Sequence, residues 1–310
     1  MHDHVGGVVH AGSAHAGSLT AQDAPTVVPL RHPVRTAIAI LLLLLAAFAA
    51  WDVARNPGYH WDVVLAYLFA KPILAGAALT VILTVVAETA GVALGTLLAI
   101  MRLSANPIVS TMSRGYIWFF RGTPLLVQLV FWYNIAALYP TISIGIPFGP
   151  SWAIASANSL VTPLVAAILG LSLNEAAYMA EIIRGGIQSV DAGQHDAGRA
   201  LGMNGRQLMR RVILPQAMRV VLPPTGNQVI SMLKSTSLVS VLAIADLLYQ
   251  AQIIYSSNYQ TIALLIVASL WYLVMTTALT FVQTRLERRY GRGFDASSSR
   301  GPRARKGLSR

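Results

Sequence analysis

The sequence predicts an all-α integral membrane protein, and three observations predict it. Of the 310 residues, 55% are hydrophobic and only 11% charged, with a mean hydropathy of +0.58, where a soluble domain carries about 25% charged residues. Several apolar runs reach the roughly 20 residues a helix needs to cross a hydrocarbon layer. The basic residues gather at the ends of those runs, as they do when Lys and Arg orient loops toward the cytoplasm. Topology therefore explains the net charge of +11 better than a nucleic-acid partner does. The chain has no Cys, which removes disulfides, thiolate nucleophiles and cysteine-based metal sites.

Residues 1–30 place His2, His4, His10 and His15 among Gly, Ala and Ser, too few bulky apolar groups to bury a core. This stretch reads as a disordered cytoplasmic tail, and the irregular histidine spacing favours solvated side chains over a metal site. The apolar run Thr36 to Trp51 follows RHPVR. A cleavable signal rarely carries so long a tail in front, so an uncleaved anchor is expected, with residues 31–69 forming this helix and a periplasmic loop. Ile73 to Met101 is a second span, long enough to tilt, interrupted by Glu88 and stopped by Arg102. A third, Gly122 to Tyr139, follows RGTPLL and ends in Phe131, Trp132, Tyr133 and Tyr139, the aromatics favoured at membrane interfaces. A fourth runs from Leu160 to Ile183 and ends at Arg184.

Arg219 to Tyr255 reads as a broken or tilted span, because Pro223, Pro224, Asn227, Lys234 and Asp246 interrupt it. Thr261 to Thr284 is the last helix, stopped by RLERRYGR, and residues 291–310 form a Ser, Gly and Arg-rich tail expected to be disordered. Of the 23 basic residues, only Arg55 and Lys71 fall in loops that alternation places outside, and the loop Pro140 to Asn158 has none. Both termini are therefore expected in the cytoplasm.

The same alternation places Ser189 to Pro215, SVDAGQHDAGRALGMNGRQLMRRVILP, inside. Asp191 with Gln194, and Asn204 with Gln207, are helix-start signals, so two short helices are expected. Gly202 between them suits a left-handed cap, and Pro215 marks where the chain enters the membrane. The first helix sets Ala197, Ala200 and Leu201 on one face with Gln194, Asp196 and Arg199 around it, a surface another protein's groove can approach closely. The plain alternative is a solvated connector.

This loop resembles the cytoplasmic EAA loop of ABC-importer permeases, whose pattern is Glu-Ala-Ala, three residues, Gly, nine residues, then Ile-x-Leu-Pro. Asp196, Ala197 and Gly198 occupy the first positions, Gly202 the glycine, Val212 the Ile position, and Leu214 with Pro215 the ending. Asp for Glu shortens the reach, and Gly for Ala weakens the helix by roughly 1 kcal/mol, which implies looser docking. FFRGTPLLVQL at Phe119 to Leu129, AAYMAEIIRGGI at Ala176 to Ile187 and LKSTSLVSVL at Leu233 to Leu242 are similar to phrases of the polar amino acid permeases. That group handles histidine, glutamine, glutamate, arginine, cystine and opines.

The resemblance spans residues 70–290 and implies a five-helix permease core preceded by one extra transmembrane helix. It further implies a second permease copy or paralogue, a periplasmic solute-binding protein, and a cytoplasmic ABC ATPase seated on Gln194, Asp196, Ala197, Gly198, Arg199, Ala200, Leu201, Gly202, Leu214 and Pro215. The chain would be a multi-pass subunit of the bacterial inner membrane, importing a polar amino acid by alternating access. Arg121, Gly122, Thr123, Pro124, Tyr178, Glu181 and Arg184 belong to the shared phrases and are expected to be structural. The chain carries no Gly-x-x-x-x-Gly-Lys-Ser/Thr run. ATP and Mg are therefore expected on the partner ATPase, and no cofactor on this non-enzymatic chain.

Polar groups at membrane depth are functional suspects because they are costly there. Glu88 reads either as a pathway contact for a substrate ammonium or as a structural hydrogen bond to a neighbouring helix. Glu175 and Glu181 lie six apart on one helix and face different ways; Glu181 is placed for an intrahelical bridge to Arg184, while the deeper Glu175 suits a pathway. Asn227, Lys234, Ser235 and Thr236 sit in the broken span, where transporters place ligand-facing groups, although Lys234 can equally snorkel. In RGTP, Gly122 and Pro124 either loosen the third helix or mark an ordinary helix start, with Arg121 anchoring it at the cytoplasmic boundary. An ion-gradient-driven secondary carrier is the competing function. A membrane enzyme fits poorly, since no metal-ligand cluster or nucleophile motif appears.

Overall fold

The computed structural model describes residues 33–145 and 151–290. The expected tails, with His2, His4, His10 and His15, lie outside the described residues. The chain divides into two units, one ending at Asn56 and one beginning at Pro57.

Helix α1 (Pro33–Arg55) stands in the first unit and buries none of its residues. Its apolar side chains lie all round it, as in a helix solvated by lipid on every side. At its end the Arg55 guanidinium lies 3.8 Å from the centre of the Trp51 ring, a cation–π contact suited to an interface.

The second unit opens with the short α2 (Trp61–Leu68) and the 32-residue α3 (Lys71–Arg102). Pro72 in the first turn starts α3 without loss of a hydrogen bond. Asn106, whose Oδ1 accepts from Ile108 N at 2.9 Å, caps α4 (Pro107–Gly122). Ser113 Oγ then donates to Leu98 O at 2.8 Å, pinning α4 back along α3.

The expected third span is corrected here. No single helix runs from Gly122 to Tyr139: α4 ends at Gly122, and α5 (Leu125–Tyr133) has only nine residues, roughly 14 Å of rise. Together the two helices run the length of the bundle. The start of α4 lies beside Arg102, which donates to Ser110 Oγ, and the end of α5 borders a cleft it shares with Asn158 and Pro163. The break exists because Pro124 disfavours a helical conformation at Thr123, which is extended at φ −111°, ψ 143°.

After α5 the uncharged loop holds an antiparallel hairpin, β1 (Thr141–Gly145) paired with β2 (Ser151–Ser156), with a bulge between Ile142 and Ser143. It is a small departure from an all-α reading. Ser156 and Thr162 cap α6 (Ala157–Leu160) and α7 (Pro163–Gln188) through their hydroxyls.

α3 and α7 form the centre of the bundle, and two glycines let them touch. A Cβ on Gly91 would lie 2.8 Å from Glu175 Cβ, and one on Gly95 would lie 2.6 Å from Met179 Cβ. The spacing Gly91-x-x-x-Gly95 is the small-residue seam by which membrane helices approach closely. Two buried clusters flank this seam. One sets α3 and α7 against α5 and the broken span through Leu83, Leu129, Leu171 and Val239; the other sets α3 against the last two helices through Ile73, Leu247 and Leu264.

α8 (Ala192–Ala200), α9 (Gly205–Leu208) and a π-helical turn at Met209–Ile213 lead into α10 (Leu214–Ser235). Pro223 and Pro224 do not break this span, as the sequence reading expected; α10 runs through both. Gln283 Nε2 donates to Pro223 O at 3.3 Å, the kind of side-chain support that lets proline persist inside a membrane helix. The break comes later. A tight 3₁₀ stretch, Thr236–Leu242, ends at Ala243 in the left-handed region (φ 56°), and α11 (Leu247–Asn258) leaves bent by 46°. The long α12 (Thr261–Tyr290) closes the described chain.

Candidate functional site

The first site is the polar connector. Asn204 and Gln207 form the expected reciprocal cap, with Gln207 N donating to Asn204 Oδ1 at 2.9 Å and Asn204 N to Gln207 Oε1 at 3.1 Å. Asp191 caps α8 differently, accepting from Gly193 N at 2.7 Å. Gln194 instead reaches Gln216 on α10, at 3.4 Å. Gly202 takes the left-handed conformation at φ 72°. Gln194, Asp196, Ala197, Arg199, Ala200 and Leu201 are all exposed, Leu201 at 79%, and Leu214 and Pro215 are exposed where α10 begins. Beneath them Val190, Leu208, Ile213 and Ala217 make a small core that joins α9 and the π-helical turn to the start of α10.

Gly198 is the buried residue of α8, and a Cβ there would meet Leu208 Cδ1 at 2.4 Å. Its smallness seats α8 on α9, a packing requirement for glycine at this position.

The second site lies at membrane depth. Glu88 is only 8% exposed, and neither carboxylate oxygen has a hydrogen-bond partner among the described residues. It stands in the wall of an apolar cavity of about 380 Å³ between α3, α10 and α12, beside Thr84, Thr89, Leu233, Met275 and Leu279. No neighbouring helix among the described residues supplies a hydrogen bond to it. Glu175 lies within Coulombic range of Glu88 and is buried against Gly91, one turn along α3. Its two oxygens each accept from Gln228 Nε2 on α10 at 3.1 Å.

The remaining residues do not converge on one place. Asn227 accepts from Gln283 Nε2 at 3.1 Å and ties α10 to α12. Lys234 is exposed on the last turn of α10, Ser235 ends that helix, and Thr236 is fully buried with its hydroxyl given to Leu233 O at 2.6 Å. Glu181 takes three guanidinium contacts from Arg184, the shortest 2.6 Å, and Arg184 also holds Gln188. The break at Gly122, Thr123 and Pro124, from which α5 starts, lies beside the middle of α7. There Asn174 Nδ2 donates to Phe120 O at 2.9 Å, and the Arg121 guanidinium sits 5.2 Å from the Tyr178 ring centre.

Sequence reasoning missed Gln128, Asn174 and Gln228. Gln128 Nε2 serves Phe120 O, Thr123 O and Thr123 Oγ1 within 3.1 Å, and Asn174 Nδ2 bonds Gln128 Oε1 at 3.2 Å. These amides satisfy carbonyls that the α4–α5 break leaves free. An amide inside an apolar run was the available signal.

A family profile described as the binding-protein-dependent transport system inner membrane component matches residues 91–292. The chain belongs to this family. The arginine transport system permease protein ArgU of Corynebacterium glutamicum is 44% identical over 280 residues, 89% of this chain and 87% of that protein. A stretch of that length takes in most of the residues of α1. The nopaline permease NocM of Agrobacterium fabrum is 40% identical, covering 69% of this chain and 84% of its own. The glutamine permease GlnP of Escherichia coli is 34% identical, covering 70% and 92%. Among solved structures, an amino acid ABC transporter crystallised with histidines shares 38% identity at a TM-score of 0.62, over 71% of this chain and 95% of its own. The architecture is that of an ABC-importer permease with apolar helices that cross the membrane several times, and the chain is a non-enzymatic transport component.

Proposed function

We propose that this chain is one half of the membrane pathway of an ATP-driven importer for an amino acid with a cationic side chain. The observation that carries the substrate class is Glu88, a buried carboxylate without a hydrogen-bond partner among the described residues, in the wall of a cavity and near a second carboxylate. An unpaired charge at this depth is costly. A guanidinium or ammonium passing through offsets that cost, and the name of ArgU points to the same class. Lys234, exposed on α10, is the cation available to a substrate carboxylate.

The exposed face of α8 is the seat for a cytoplasmic ATPase that holds ATP and Mg. A binding protein delivers substrate from the opposite side, and a second permease copy or paralogue completes the pathway. Both termini and the connector face the cytoplasm, in keeping with the basic residues of the loops. Closure of the ATPase pair then pulls α8. Through Gln194–Gln216, and through Gly198 against Leu208 and the core that joins Leu208 to Ala217, that pull reaches α10, which carries Gln228 and lines the Glu88 cavity.

Two measurements test this. The tagged protein is purified from native membranes beside a variant whose Gln194 to Gly202 is replaced by a Gly/Ser linker; an ATP-binding subunit should accompany the parent and be lost from the variant. In proteoliposomes of the purified complex, Glu88→Gln should lower arginine uptake about tenfold or more, the scale of losing a charge-assisted contact, while the ATPase remains bound. Unchanged arginine uptake by that variant would remove the cationic substrate.

A further inference from the structure

We propose that Gln283 of α12 is a positioning residue for transport: its amide clasps a hinge at Pro223–Gly226 in α10, so that this helix carries the pull of α8 to Gln228 as one lever. The transport role rests on the ATP-driven route proposed above; the hinge itself does not.

Four consecutive residues weaken the middle of α10. Pro223 and Pro224 have no N–H to give to Arg219 O and Val220 O, so two successive rungs of the helix are missing. Thr225 Oγ1 turns back onto Val221 O at 2.8 Å, a bond that bends helices. Gly226 then adds the residue that gains least from a helical backbone. Prolines and glycines are where long helices kink. The helix is anchored on both sides of this stretch. On the connector side Val221 packs against Gly186 of α7, and Ala217 belongs to the small core shared with Leu208. On the far side Gln228 bonds Glu175, and Met232 joins the buried cluster around Leu171.

Gln283 spans the weak stretch from outside. Its Nε2 donates to Pro223 O at 3.3 Å and to Asn227 Oδ1 at 3.1 Å, one contact at each end, and a Cβ on Gly226 would lie 2.6 Å from its side chain. The same Nε2 reaches Glu287 Oε1, one turn along α12, at 2.8 Å. An amide nitrogen has two hydrogens for these three acceptors. Glu287 therefore competes with α10 for the amide, which makes the clasp releasable. Closed, it keeps the two halves of α10 in line. Released, the hinge bends and absorbs the movement of the connector before it reaches Gln228 and the Glu88 cavity.

The hinge is tested on the full chain in lipid nanodiscs by hydrogen–deuterium exchange of the α10 amides. Gln283→Ala should speed exchange at Asn227 to Val229 about fivefold, the scale of one lost hydrogen bond, with α7 unchanged. Glu287→Ala, which leaves the amide to α10 alone, should slow it. Opposite shifts at one place do not arise from a general loosening. Any other pattern, including faster exchange in both variants, overturns the clasp.

The transport role is tested in proteoliposomes of the purified complex, as arginine taken up per ATP hydrolysed. Gln283→Ala should lower this ratio at least about fivefold, again the scale of a lost hydrogen bond, with the ATPase still bound. Adding Pro223→Ala and Pro224→Ala, which restores the missing rungs, should return it. An unchanged ratio, or a loss that the two alanines do not repair, overturns the positioning role. A parent complex that couples no uptake to ATP overturns the importer reading and the transport role with it, while the exchange still decides the hinge.

Discussion

Gly91 and Gly95 decide how closely α3 and α7 pack, and the contact they permit positions Glu175. A methyl group on Gly95 would lie within 2.9 Å of Ala176 O and 2.6 Å of Met179 Cβ, neither of which is the free end of a flexible chain. Gly95→Ala is therefore expected to destabilise the folded subunit by about 1–3 kcal/mol, the usual cost of overpacking. Thermal unfolding in detergent, followed by Trp fluorescence, should show a lowered midpoint. Gly115 is the control: nothing lies within 4 Å of a Cβ there, so Gly115→Ala should leave the midpoint unchanged or raised. The seam was legible as Gly-x-x-x-Gly, but hydropathy hides it, because glycine interrupts nothing in an apolar run. Glu88 and Glu175 were legible for the opposite reason, since a carboxylate stands out there. What the sequence cannot contain is that Glu175 has Gln228 as a partner and Glu88 has none, because those contacts join segments far apart in the chain.

At the scale of elements, the connector was the most legible part, because caps act within three or four residues: the Asn204–Gln207 box and the left-handed Gly202 both formed as the local rules require. The broken span was half legible. Its prolines are locally disruptive but are supported by Gln283 from α12, whereas the actual break is built around Asp246. That side chain is fully buried, caps α11 by accepting from Tyr249 N at 2.9 Å and meets Tyr272 Oη at 3.4 Å, while Leu247 N donates to Thr80 Oγ1 at 3.2 Å. Asp246→Ala should thus cost about 1–3 kcal/mol through the lost cap and the orphaned donors. Tyr272→Phe should cost less, since it removes one long contact, and the two unfolding midpoints measured side by side check the order. In the connector, Gly198→Ala should weaken retention of the ATPase subunit on purification. Leu208→Ala, which makes room for the methyl group, should restore it in the double variant; additive losses would show that the two side chains do not meet.

For the whole molecule, the separateness of α1 has a consequence for insertion. α1 buries no residue, while the unit from Pro57 onward carries its own packed clusters. Removal of residues 1–56 is therefore expected to leave the unfolding midpoint of the remaining chain within about 2 °C, less than 1 kcal/mol for a domain of this size. Orientation is the property at risk, because deleting one crossing moves the new N-terminus to the other side of the membrane. The remaining loops still carry their arginines at the connector and at the end of α12, and that bias outweighs Lys71, the one basic residue left in the loops expected on the opposite face once Arg55 is removed. The connector should accordingly stay cytoplasmic in the truncated chain. The absence of Cys makes this directly measurable, with a single cysteine placed at exposed Ser189 beside α8 or at exposed Ser257 at the far end of α11. A membrane-impermeant maleimide applied to intact spheroplasts should label Ser257→Cys and spare Ser189→Cys, in the full chain and in the truncated one. Labelling of Ser189→Cys in the truncated chain alone would mean that α1, and not the arginines of the core, sets the topology.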